Sequence, residues 1–428
     1  MIQTKHYTLK NGVRVLLVPN DSTAAAAVLV LHEVGSRYEA NRIAGAAHFI
    51  EHMMFKGTKR RPGNLEISRE LDAVGADYNA FTWRDCTGYY IKLVAEKLPL
   101  AVEMLGDILH HSLFDAAAVD QERGVILEEI RMYEDNPLMQ VDSLMEEELY
   151  RGSSLGRQVA GSVATVGKLT RGDLVEFRDR YYVPKRTVVA VAGRFDEAEV
   201  RELLEAHFGQ RAEAAKGRSY PRFEIGRAGY RAPRLRHVER ETEQIHLALG
   251  FPTYGYGHPR LGALTLLNIV LGGTMSSRLF REVREQRGLA YFVRSSVSVY
   301  QDVGNLTVQA GIARHRLVDA LKVTVAELAK LKSKPVKAEE LRRAKDFVRG
   351  KMVLHLEDST ELAEWFARQE LLEGRTETPE QKLARIEAVT AADVQAVARD
   401  LLLPNRATLA MIGPAHDHAQ LTKIIGNL

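Results

Sequence analysis

With 428 residues, the chain is too long for one ordinary domain and about right for two. Its 45% hydrophobic and 27% charged residues mark a globular chain, and a net charge of +3 gives nucleic acid or a membrane surface no general footing. A single cysteine, Cys86, excludes an intrachain disulfide and a cysteine-cluster metal site.

The N-terminal stretch MIQTKHYTLKNGVRVLLVPN goes straight into strand-like alternation, with a turn at Asn11-Gly12. It carries no charged segment leading into an apolar one, so no signal peptide is expected. No apolar run in the chain reaches the roughly 18 residues of a membrane span. The expectation is a cytoplasmic protein with neither membrane nor nucleic acid as partner.

The next segment, AAHFIEHMMFKGT (46–58), has the apolar flanks of a buried helix but holds His48, Glu51 and His52. Positions i, i+3 and i+4 share one helix face, so these three side chains project together. Two imidazoles one turn apart can occupy adjacent corners of a zinc tetrahedron, and a neighbouring carboxylate can take a proton from water. Catalytic zinc takes three protein ligands, so a third is required.

NAFTWRDCTGYYIKLV (79–94) reads as a strand pair, followed by a long helix from near Leu98. VDQERGVILEEIRMYEDNP (119–137) is helical, with a stop at Pro137. Glu122 and Glu129, seven apart, share one face of it, whereas Glu128 turns about 100° away. This helix is the best source of the third ligand.

An internal repeat follows. TRGDLVEFRDRYYVPKRTVVAVAG (170–193) aligns without gaps to TAADVQAVARDLLLPNRATLAMIG (390–413), matching Thr170, Asp173, Pro184, Arg186, Ala190 and Gly193 to Thr390, Asp393, Pro404, Arg406, Ala410 and Gly413. Each copy reads as a Thr N-cap, an amphipathic helix, a proline stop and an apolar strand. Between the copies, residues 211–236 are basic and carry Gly and Pro, as a solvated connector does. The second half repeats the strand pair in YFVRSSVSVYQDVGNLTVQAG, with a helix from near His315. Where the first half has its polar trio, it has only the apolar ALTLLNIVLGG. The duplicated scaffold therefore does not need those polar groups. The expected fold is α+β: two similar domains, 1–215 and 236–428, joined by a linker at 216–235. Each would be a mostly antiparallel sheet covered by helices.

The pattern HxxEH, then 76 residues from His52 to Glu129, resembles the pitrilysin family of inverted zinc metallopeptidases, which includes insulysin and the mitochondrial processing peptidase. The resemblance implies His48, His52 and Glu129 as ligands of one Zn²⁺ per chain, Glu51 as general base, and Glu122 as a supporting carboxylate. It further implies that the main chain at Asn79, Ala80 and Phe81 receives a peptide substrate as an added strand. GGTMSSRLFREVREQRGLAYFV is similar to the family segment whose arginine and tyrosine, here Arg284 and Tyr291, hold the substrate carbonyl. Long members fuse two halves of this size into a clamshell, whereas this chain resembles the short branch that pairs two subunits. Because it keeps both the zinc motif and the Arg/Tyr pair, a homodimer is the expectation, with a hetero-partner as the alternative. The implied function is a zinc endopeptidase cutting short or unfolded peptides. A non-catalytic scaffold or a peptide-binding subunit of the same fold is the competing reading.

Overall fold

Apolar alternation builds the first sheet. In the computed structural model, which describes residues 3–210, 212 and 219–428, it comprises β1 (Lys5–Thr8), β2 (Arg14–Pro19), β3 (Ala25–His32), β4 (Asp77–Thr82), β5 (Thr87–Val94) and β6 (Thr187–Gly193). The order is β1-β2-β6-β3-β5-β4, antiparallel except for the β2/β6 pair. Both faces of β3 are buried. Val28 and Val30 join the cluster that holds Phe49, Ile50 and Met53 of the Ala46–Met54 helix. Leu29 and Leu31 meet Leu362, Ala363 and Phe366 of the Ser359–Leu372 helix.

The second sheet runs β7-β11-β8-β10-β9, from β7 (Arg234–Glu239), β8 (Gln244–Tyr254), β9 (Ala290–Val299), β10 (Val303–Ala313) and β11 (Thr408–Gly413). Only the β7/β11 pair is parallel. Leu247, Leu249 and Phe251 pack with the apolar Leu261–Leu271 helix on one face, and Ala248, Ala410 and Ile412 with the Pro137–Leu149 helix on the other. Gly250 lets that helix close in, because a Cβ there would stand 2.1 Å from Met145 Sδ.

The duplication is visible down to the caps. Thr170 Oγ accepts from the Asp173 amide at 3.1 Å and Thr390 Oγ from the Asp393 amide at 3.2 Å, each aspartate returning a bond to its threonine amide. Both helices end before a short 3₁₀ turn that starts at Pro184 or Pro404 and leads into β6 or β11. The two domains are thus duplicated α+β units, each a largely antiparallel sheet wrapped by helices.

The expected boundaries left out an exchange. The first compact unit takes the described residues of Met1–Ile130, Arg157–Tyr220 and Lys351–Glu380, and the second takes those of Arg131–Gly156, Pro221–Gly350 and Gln381–Leu428. Each half therefore lends one helix to the unit built mainly by the other. Of the expected linker, residues 216–218 lie outside the described residues. Beyond them Phe223, Ile225 and Tyr230 pack onto the second unit's apolar cluster, so this stretch is more than a solvated connector. Among the described residues no helix is long and apolar enough to cross a membrane.

Candidate metal centre

The Ala46–Met54 helix is held by its apolar stripe. Phe49, Ile50 and Met53 are buried in the first core, each contributing about 1.5–3 kcal/mol by leaving water. That packing turns the other face, with His48, Glu51 and His52, toward the Ala116–Asp135 helix. Glu129 presents its carboxylate there, Oε1 at 3.7 Å from His48 Nε2 and Oε2 at 3.6 Å from His52 Nε2.

Those separations are too long for hydrogen bonds. They suit two ligand atoms on one zinc, which at ~2.1 Å bonds and tetrahedral angles stand about 3.4 Å apart. One ligand atom from each of His48, His52 and Glu129 lies within 4.8 Å of the others, and no other such cluster occurs among the described residues. Burial, with the neighbouring His52 second, brings His48 down to about 4, so its imidazole is neutral at pH 7, as ligation requires.

Glu122 lies behind His52. Its Oε1 is 2.8 Å from His52 Nδ1 and its Oε2 is 2.7 Å from Lys56 Nζ. Burial pushes this carboxyl up, but His52 and Lys56 outweigh it and hold the group below the usual range. An ionised Glu122 only accepts, so His52 carries its proton on Nδ1 and turns the Nε2 lone pair toward Glu129. Sequence reasoning named Glu122 and missed Lys56, which lies past the end of the Ala46–Met54 helix, where helical spacing gives no signal.

Glu51 is half-buried beside the cluster, and its Oε2 is buried without a hydrogen-bond partner. Burial raises its pKa, opposed by the Thr82 hydroxyl and the His52 imidazole; the hydroxyl closes no hydrogen bond. A carboxylate raised in this way has the basicity a proton acceptor needs.

Asn79, Ala80 and Phe81 lie on β4, paired with Tyr90, Tyr89 and Gly88 of β5, and β4 is the last strand of its sheet. The Ala80 amide is already held by Asn79 Oδ1 at 2.9 Å, so an added strand would displace that bond. Arg284 and Tyr291 lie in the second unit. Arg284 sits on a π-helical turn, Phe280–Glu285, with its guanidinium 4.7 Å from the Phe280 ring centre. Tyr291 stands on β9 and is 76% exposed.

Comparison with known proteins follows the same lines. The family model described as Insulinase (Peptidase family M16) matches residues 14–163, and the one described as Peptidase M16 inactive domain matches residues 168–348. An uncharacterized zinc protease of Mycobacterium tuberculosis is 40% identical over 407 residues, covering 95% of this chain and 92% of that one. The uncharacterized zinc protease YmxG of Bacillus subtilis is 36% identical over 416 residues, covering 96% and 98%. Among solved structures, a protease from Helicobacter pylori superposes with a TM-score of 0.91 at 26% identity, covering 97% of this chain and all of that one. With relatives of this identity and coverage, the chain belongs to the M16 (insulinase) family of peptidases.

Proposed function

We propose that this protein is a zinc-dependent endopeptidase that cuts short or unfolded peptides inside a chamber built from two subunits. The observation that carries the reading is the convergence of His48 Nε2, His52 Nε2 and the Glu129 carboxylate at ligand spacing, with the half-buried Glu51 beside them. Neutral imidazole nitrogens and one carboxylate suit zinc, and the unpartnered buried Glu51 oxygen suits a catalytic proton acceptor. When bound, zinc supplies a Lewis acid that acidifies water and polarises a peptide carbonyl.

The chain's own residues do the rest. The main chain of β4 at Asn79–Phe81 binds the substrate as an extended strand, which fixes the backbone whatever its side chains. Glu51 takes the proton from the attacking water and passes it to the leaving amine, a role its raised basicity favours. Glu122 and Lys56 keep the His52 ring in one tautomer and one orientation. Arg284 and Tyr291, from a second copy of the chain, hold the substrate carbonyl and the negative charge that develops on it.

Metal content and hydrolysis of an unstructured peptide, measured on wild type and Glu51→Gln, test this reading. Wild type should hold one zinc and cleave, while Glu51→Gln should keep the metal and lose at least about a hundredfold in rate. Cleavage by Glu51→Gln at the wild-type rate would remove Glu51 from the mechanism.

A further inference from the structure

The helix that carries His48, Glu51 and His52 begins without a cap of its own. Its N-cap is Gly45, at φ 97°, where a Cβ would fall 2.7 Å from the Ala160 carbonyl oxygen. No L-residue with a capping side chain fits there. The missing acceptor comes from the turn just upstream: Glu39 Oε1 accepts from the Ala47 amide at 2.8 Å, and Oε2 from the Gly45 amide at 2.9 Å. Ala47 is the second residue of the helix and neighbours His48, so this carboxylate does what an N-cap side chain normally does.

The loop carrying Glu39 is itself fastened. Arg157 Nη2 donates to the carbonyls of Glu39 at 2.7 Å and Ser36 at 3.2 Å. The amides of Ser36 and Arg37 bond to the carbonyls of Trp83 and Arg84, just beyond β4. Glu39 is 4% exposed, in a site that disfavours its charge. Burial pushes its carboxyl up to about 8, against the pull of the Ala47 and Gly45 amides and of Arg157. An isolated structural helix would be capped more cheaply by water.

We propose that Glu39 is a positioning residue for the metal centre, capping the Ala46–Met54 helix from outside and setting the depth and rotation at which His48 and His52 meet Glu129. The inference rests on reading His48, His52 and Glu129 as metal ligands. Ligand atoms must be held within about half an ångström to keep their affinity, and a frayed first turn moves His48 before anything else.

The test compares wild type, Glu39→Gln and Glu39→Ala by zinc titration against a competing chelator at pH 8.5, where the wild-type carboxyl accepts with both oxygens. Melting temperature and hydrogen exchange at the Ala47 and His48 amides are measured on the metal-free proteins. Both variants should bind zinc at least about fivefold more weakly, with faster exchange confined to the first turn of the helix. A purely structural cap would lower the melting temperature and leave the zinc affinity of the folded protein unchanged. Zinc affinity of folded Glu39→Gln within twofold of wild type, which itself binds, would overturn the positioning role alone. Failure of wild type to bind zinc would instead overturn the ligand reading, and this inference with it.

Discussion

His52 Nδ1 lies 2.8 Å from Glu122 Oε1, and that one contact decides which nitrogen of the ring is free to bind a metal. Lys56 holds the other oxygen of the same carboxylate at 2.7 Å. Removing either partner frees the ring to rotate or change tautomer. Glu122→Gln and Lys56→Met should each weaken zinc binding by about 10–100-fold, while Lys56→Arg should retain most of it. Chelator competition on the purified variants measures this. Unchanged affinity in both would show that the contact orients nothing.

Selection by extended backbone predicts what is cut. A strand added to β4 must be free of its own hydrogen-bond partners, so unstructured peptides should be cleaved at several sites. A tightly folded protein should survive under the same conditions. Mass spectrometry of both digests reads the result, and rapid loss of the folded protein would argue against an enclosed chamber.

Glu51 and Tyr291 give a test of subunit composition. In the proposed dimer, the Tyr291 that serves a given zinc comes from the other chain. Glu51→Gln and Tyr291→Phe homodimers should each be strongly impaired. Mixing them with subunit exchange should restore one whole site in each heterodimer, and thus activity toward half of wild type per heterodimer. No recovery, with exchange confirmed by tagged subunits, would place both groups in one chain.

Asp142, on the Pro137–Leu149 helix, sets a pH dependence of stability. Burial, with Glu146 second and Arg294 opposing, pushes its carboxyl up to about 6, and its Oδ1 is buried without a partner. Between about pH 4 and 6 the folded chain therefore holds this proton more tightly than the unfolded chain does. Stability falls as pH rises through that window, and the loss is complete above it. Asp142→Asn should stabilise the fold at pH 7 by on the order of 2 kcal/mol, read as a higher melting temperature, and leave the melting temperature unchanged near pH 3.5. Equal shifts at both pH values would sink the assignment.

Local periodicity made much of this protein legible. The placement of His48, Glu51 and His52 on one face follows from 3.6 residues per turn, whatever surrounds the helix. The two Thr/Asp capping boxes are likewise short-range devices, and their threonines and aspartates are among the aligned identities that exposed the duplication. The partners that organise the centre were another matter. Lys56, just past one helix, and Glu122, on another, meet only in the folded chain, and the turn that brings Glu39 onto the Gly45 and Ala47 amides is fastened by Arg157, more than a hundred residues away. The exchange of the Pro137–Leu149 and Ser359–Leu372 helices was equally hidden. Each helix is amphipathic, and amphipathicity says that a face will be buried without saying against which sheet. Sequence by itself determined which side chains share a helix face, because that is set within a single turn of backbone. Only the tertiary structure decided what those side chains face, because that depends on contacts between segments many residues apart.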